Sequence, residues 1–206
     1  MAERGPKFER KEKLREKLIV ELGSGSLPVV AEKTAEYRDL FDADKNARYI
    51  GIDLNHDVLS HGRALQMRND AESGRPENDR ISYVNARAES LPLKDASVDE
   101  LILRNVLGDP DIPVEEKRAT LNEVARVLKK DALLKVIEVY TPLMVYEDDL
   151  FAYIDAMDGH LLRDVSAEET GLGETERRAD AQLSHDEAAG VTWLGNQSFV
   201  RYYRRA

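Results

Sequence analysis

The sequence predicts an α/β protein with a mostly parallel sheet and helices on both faces. Three observations carry this. Short apolar runs suited to buried strands alternate with helix-like segments along the chain. The first run, "KLIVELGSGSLP" (17–28), passes directly into a turn of glycines and serines. The chain has 206 residues, enough to bury the core of one ordinary domain.

Residues 1–16 read as a charged arm or short helix, since seven Lys or Arg and four Glu fall within residues 3–17. Residues 17–206 read as a single domain. "KLIVELG" is a strand buried on both faces. Pro28 then stands where a first helical turn would begin, a favoured place for proline, and "VVAEKTAEYRDLF" has helical character. "ARYIGIDLN" is the second strand. "HDVLSHGRALQMRND" is a helix whose apolar stripe is Val58, Leu59, Leu65 and Met67. "RISYVNARAE" is a third strand and "SVDELILRNVLGD" a fourth. "VEEKRATLNEVARVLKK" is the clearest helix, with acids in its first turn and lysines in its last to complement the dipole. Leu121, Val124, Ala125 and Leu128 form its apolar face. "ALLKVIEVY" is a fifth strand, "VYEDDLFAYIDAM" a further helix, and "HLLRDVS" and "SFVRYYRR" the last two strands. The long polar insert between them, over 168–195, is expected to hold a helix near "TERRADAQLSHDEAA".

Composition excludes several functions. The net charge is −10, so a general nucleic-acid binder is disfavoured by phosphate repulsion. No cysteine is present, which removes disulfides, thiolate metal sites and a cysteine nucleophile. No histidine pair has metal-ligand spacing with a carboxylate, so no metal is expected. No apolar run is long enough for a membrane helix, and the N-terminus has no secretory apolar core; the chain reads as cytoplasmic with no membrane partner.

In a parallel sheet the ligand sits beyond the carboxyl ends of the strands. The glycine turn after the first strand lies at such an end. Asp53 closes the second strand, where an acid can accept hydrogen bonds from both hydroxyls of a ribose. The turn "GSGSLP" has Pro28 where a dinucleotide site would place its third glycine. Glu21, immediately before the turn, would repel a pyrophosphate and favour a cofactor carrying an ammonium or sulfonium cation. A dinucleotide-dependent oxidoreductase is therefore the weaker alternative.

The chain resembles the class I S-adenosylmethionine-dependent methyltransferases, in particular their small-molecule group. Four ordered segments carry the resemblance: "VELGSGS", "YIGIDLN", "ARAESLPLKDASVDELIL" and "LNEVARVLKKDALLKVIE". It implies a Rossmann-like three-layer sandwich whose seven-stranded sheet has an antiparallel last strand inserted between the fifth and sixth. It implies S-adenosylmethionine as cofactor. Glu21, Gly23, Ser24 and Gly25 would meet the methionine part, Asp53 the ribose, Leu54 the adenine face, Ala88 and Glu89 the adenine edge, and Asn105 the methionine part again. The chain departs from the family pattern at Leu27, where a third glycine is frequent, and at Arg87, where an acid often precedes the residue equivalent to Ala88. No catalytic residue is assigned; Asp109, Glu138, Tyr140 and Tyr146 are the candidates for a base near the strand ends. The acceptor is expected to be a small molecule, with RNA the minority alternative through the basic arm. A binding or partner subunit that keeps the cofactor fold without turnover is the alternative to an active enzyme.

Overall fold

The structure is a computed structural model and describes residues 16–31, 36–76, 78–107, 109, 111–140, 162–184 and 197–205. Seven strands form one sheet: β1 (Lys17–Leu22), β2 (Ala47–Asp53), β3 (Ile81–Asn85), β4 (Val98–Arg104), β5 (Leu128–Tyr140), β6 (Leu162–Val165) and β7 (Gln197–Arg205). Their order is β3-β2-β1-β4-β5-β7-β6. The first five pair in parallel, and β7 runs antiparallel between β5 and β6. This is the mostly parallel, Rossmann-like sheet with the inserted last strand that the sequence predicts.

Side chains alternate across the sheet, so register decides which residues meet. Val20 and Leu22 of β1, Ile52 of β2, Leu101 and Leu103 of β4, and Leu134 and Val136 of β5 share one core. Helix α3 (Val114–Val127) covers it with Leu121, Val124, Ala125 and Val127. The opposite face carries Ile19, Tyr49, Ile102 and Ile137, covered by Tyr37 and Phe41 of α1 (Glu36–Ala43) and Ala179 of α4 (Glu174–Ser184). The α3-side core is mainly aliphatic and the α1-side core mixes aliphatic and aromatic side chains, and their burial stabilises the fold at about 25 cal/mol per Å² of apolar surface.

Three expectations need correction. A single helix from Val29 becomes a 3-10 turn over Val29–Ala31 followed by α1. The helix over 114–130 ends at Val127: Leu128 takes extended φ/ψ and opens β5, so Lys129 and Lys130 lie in the strand and Arg126 is the basic residue of the last turn. Leu128 is buried there as a strand residue paired with Val98. Third, α2 (His56–Glu72) does not bury the stripe read from its apolar residues. Met67 is exposed, and the buried face is Leu59, Gly62, Gln66, Asn69 and Asp70. The polar members of that face are mostly partnered: Asn69 donates to the Ala31 carbonyl at 2.6 Å, Gln66 donates to Asp70, and Asp70 pairs with Arg38 at 3.0 Å, while Asn69 Oδ1 accepts no hydrogen bond among the described residues. The expected helix at "VYEDDLFAYIDAM" and the arm at 1–15 lie outside the described residues.

The α1 face also buries charge. Glu100 lies between Lys17 at 2.8 Å and Lys135 at 2.9 Å, with the Tyr37 hydroxyl donating to it at 3.3 Å. Burial alone would raise its pKa, but Lys135 and Lys17 outweigh burial and hold it down at about 2. Because this lies below the ordinary carboxylate value of 4.5, the stabilisation is fully present above about pH 4.5 and is lost as the pH falls toward about 2. Glu100→Gln should lower stability at neutral pH by about 3–5 kcal/mol, because the lysines lose their counter-charge. It should also flatten the pH dependence across that window relative to the unmodified protein. Urea denaturation of both proteins from neutral to acid pH measures the two effects together.

Candidate functional site

β1, β2 and β4 end side by side at the centre of the sheet, where the strand order reverses between β1 and β4. A cleft of about 520 Å³ opens above them. That is within the ~300–1,000 Å³ typical of small-molecule sites.

The glycine turn forms its floor. The Gly23 and Ser24 amides donate to the Ile52 carbonyl at 3.0 and 3.2 Å, hooking the turn onto β2. Gly23 has φ +71°, and a Cβ there would stand 2.5 Å from Val106 Cγ2 and 3.0 Å from the Arg104 carbonyl oxygen. Glycine is therefore required both by conformation and by the close approach of the chain that follows β4. Gly25 has φ +57° but open space around it.

Asp53 is tied to this turn. Its Oδ2 accepts from the Gly25 amide at 3.0 Å and its Oδ1 from the Asn55 amide at 2.8 Å. Asn55 in turn caps α2, accepting from the Asp57 and Val58 amides. Two carboxylate oxygens offer about four acceptor positions, so both keep capacity for a ligand hydroxyl. Leu54 is 61% exposed beside Asp53, and Asn85 steadies it by donating to its carbonyl at 2.7 Å. Ala88 and Glu89 line the same end of the cleft. Asn105 lines the other end, held with φ +53° while its amide donates to the Ile137 carbonyl at 3.0 Å.

Of the residues singled out from sequence, Gly23, Ser24, Gly25, Asp53, Leu54, Ala88, Glu89 and Asn105 come together along this cleft. Glu21 does not line it. Its side chain is fully buried on the α1 face, beneath the glycine turn. Its Oε2 accepts from the Val29 amide at 3.0 Å and from the Tyr49 hydroxyl; its Oε1 is 3.3 Å from Arg104 Nε, an ion pair without hydrogen-bond geometry. Burial raises its pKa, against the pull of Arg104, Tyr49 and the Val29 amide. The same burial, reinforced by Glu21, pushes the Tyr49 hydroxyl well above its ordinary value, so Tyr49 stays a donor. The expected direct meeting of the Glu21 charge with a cationic ligand is thus replaced by an internal partner.

Sequence reading overlooked Arg104. It lines the cleft, is 9% exposed, and donates through Nη2 to the Leu27 carbonyl. The signal was available in the register: Glu21 pairs with Ile102, so Arg104, two residues on, projects from the same face. An arginine ending a buried strand needs a counter-charge. Arg87, at the opposite rim, is half-exposed and pairs with Glu89 and, at 3.3 Å, with Glu116 of α3. Among the base candidates, Asp109 lines the cleft. The side chains of Glu138, Tyr140 and Tyr146 lie outside those described.

Residues 23–136, more than half of the chain, match the protein family described as "Methyltransferase domain". The chain belongs to the class I S-adenosylmethionine-dependent methyltransferases. S-adenosylmethionine is the cofactor of that family. No curated protein sequence matches this one. Solved structures resemble it in fold. A geranyl diphosphate C-methyltransferase from Streptomyces coelicolor A3(2) is 12% identical with a TM-score of 0.56, over 92% of this chain and 73% of that one. A methyltransferase solved with the Haloferax volcanii Trm112 methyltransferase activator is 17% identical with a TM-score of 0.53, over 92% and 83%. The 4+2 cyclase SpnF is 20% identical with a TM-score of 0.53, over 93% and 76%. At such identities the likeness is one of fold. Among the described residues, no helix of this methyltransferase-family chain is long and apolar enough to cross a membrane.

The two glycines of the floor differ in a testable way. Gly23→Ala meets both a positive φ and a 2.5 Å contact, whereas Gly25→Ala meets only the positive φ. The first should cost about 1–3 kcal/mol more than the second, from overpacking against Val106. Urea denaturation of the two variants measures the difference, and equal costs would contradict the close approach.

Proposed function

We propose that this chain transfers a methyl group from S-adenosylmethionine to a small-molecule acceptor. The observation that carries the reading is the joint between the Gly25 amide and the Asp53 carboxylate, which brings a glycine turn and a strand-end acid to one cleft. Asp53 accepts from the ribose hydroxyls, and Leu54 and Ala88 flank the adenine with Glu89 at its edge. Gly23, Ser24, Gly25 and Asn105 meet the methionine part. Glu21 acts through others, as a positioning residue beneath the turn. The open space around Gly25 supports this fit, because a side chain there would take up room on the floor of the cleft.

The cofactor supplies a methyl group on a sulfonium, open to in-line displacement by a nucleophile. The chain's task is then alignment and exclusion of water, which supplies a large part of the rate for such a displacement. The glycine floor fixes the height of the ligand, and the Asp53 end fixes its position along the cleft. A small acceptor is favoured over a polyanion by the net charge of −10.

Calorimetric titration tests the first half of the reading. S-adenosylhomocysteine should bind with micromolar affinity and NAD should not bind. Asp53→Ala should weaken S-adenosylhomocysteine by about tenfold or more, through loss of hydrogen bonds to a charged group. Unchanged affinity in that variant would remove the ribose assignment. Product analysis tests the second half. S-adenosylhomocysteine released with a small-molecule acceptor supports an enzyme, release with RNA alone redirects the acceptor class, and cofactor binding without turnover favours a binding subunit.

A further inference from the structure

Helix α2 carries a glycine in its interior, Gly62. Glycine is a poor helix former, so its presence there calls for a packing reason. The reason lies on the buried face of the helix. A Cβ at Gly62 would stand 2.7 Å from the Gly25 carbonyl oxygen and 3.0 Å from Pro28 Cδ. Both distances are shorter than ordinary van der Waals contacts. Both partners belong to the turn segment that floors the cleft, although Gly62 is not among the residues that line it. The helix is fastened to this region at two further points. The amide of its capping residue Asn55 donates to Asp53 Oδ1 at 2.8 Å, and Asn69 donates to the Ala31 carbonyl at 2.6 Å. Gly25 is therefore held on two sides: its amide by Asp53 at 3.0 Å, and its carbonyl by the bare helix face at Gly62.

We propose that Gly62 is a positioning residue for the cofactor, a role that rests on the cofactor reading given above: by letting α2 lie against the Gly25 carbonyl, it sets the geometry of the Gly25–Asp53 joint. The Asp53 carboxylate bridges the same two elements. Its Oδ2 is bonded to the turn at Gly25, and its Oδ1 to Asn55, which caps the helix. The spacing between turn and helix therefore decides how the carboxylate is aimed. A methyl group at Gly62 can be relieved in two ways, and each disturbs that aim. If the turn recedes, it carries the Gly25 amide away from Asp53 Oδ2. If α2 recedes, it carries Asn55 away from Asp53 Oδ1. A shift of the Pro28 ring alone relieves nothing, because the Gly25 oxygen remains in the way. Hydrogen bonds weaken steeply with misalignment, so a small displacement here is felt at the ligand.

A glycine that serves only helix packing would change stability and leave the ligand alone. Calorimetry with S-adenosylhomocysteine, at temperatures where each variant is folded by circular dichroism, separates the two roles. The control is Gln66→Ala, one helical turn further on, whose side chain donates within its own helix to Asp70. Gly62→Ala should weaken the ligand by more than about threefold, and Gln66→Ala by less than about twofold. A smaller effect of Gly62→Ala, or equal weakening by both, would overturn the proposal and leave the cofactor reading intact. The double variant Asp53→Ala with Gly62→Ala should bind within about twofold of Asp53→Ala alone, since both changes break one joint. Losses that multiply would overturn the proposal. If Gly62→Ala fails to fold, hydrogen exchange of the unmodified protein decides. Saturating S-adenosylhomocysteine should slow exchange of the α2 amides around Gly62 together with those of the turn, and protection confined to the turn would overturn the proposal. Failure of the unmodified protein to bind S-adenosylhomocysteine would overturn the cofactor reading itself, and this proposal with it.

Discussion

The buried carboxylate of Glu21 is the constraint around which the cleft end of the sheet is organised. A charge with no solvent access must collect partners, since an unpaired buried ion costs several kcal/mol. Glu21 takes its partners from three separate places: the Tyr49 hydroxyl from β2, the Val29 amide from the chain beyond the turn, and the Arg104 guanidinium from β4. Each partner fixes the position of its own segment. The glycine turn lies between Glu21 and Val29, so both its ends are pinned by one side chain. The turn's conformation then follows from positive φ at Gly23 and Gly25 and from its hydrogen bonds to Ile52 and Asp53.

The α1 face of the sheet carries a second charged group of the same kind. Lys17, Glu100 and Lys135 meet near the strand starts, while Glu21 and Arg104 meet near the strand ends. Both groups follow from strand parity: Lys17, Ile19 and Glu21 alternate with Leu18, Val20 and Leu22, and β4 places Glu100, Ile102 and Arg104 opposite them. The face beneath α3 carries Leu18, Val20 and Leu22 of β1 and Leu101 and Leu103 of β4. One side of the sheet thus supplies apolar burial, and the other supplies specificity of pairing and the polar framework under the cleft.

Much of this was legible in the sequence, for identifiable reasons. Apolar runs such as "LIVEL" and "ELILR" reveal strands because a central parallel strand must be apolar on both faces. Gly23, Gly25 and Asp53 reveal the cleft because backbone conformation and ribose chemistry demand those residue types at strand ends. The face of α2 was not legible, because its buried positions include Gln66, Asn69 and Asp70, which hydrophobic periodicity counts as exposed. The end of α3 was misread because Leu128 is apolar and suits a helix face and a strand start equally; only its extended backbone decides. Arg104 escaped notice because its importance is a matter of register with a neighbouring strand, which no local window contains.

The depth of the Glu21–Arg104 pair has a consequence for how the protein responds to dissolved ions. Salt weakens charge pairs in proportion to their access to solvent, with a screening length of about 8 Å at physiological ionic strength and about 3 Å at 1 M. Arg87, with Glu89 and Glu116, lies at the exposed rim and is subject to that weakening. Glu21 is fully buried and Arg104 is 9% exposed, so this pair is screened much less. As ionic strength rises, the rim of the cleft therefore loosens while its foundation keeps its shape, and the two ends of one binding groove acquire different tolerances to brine.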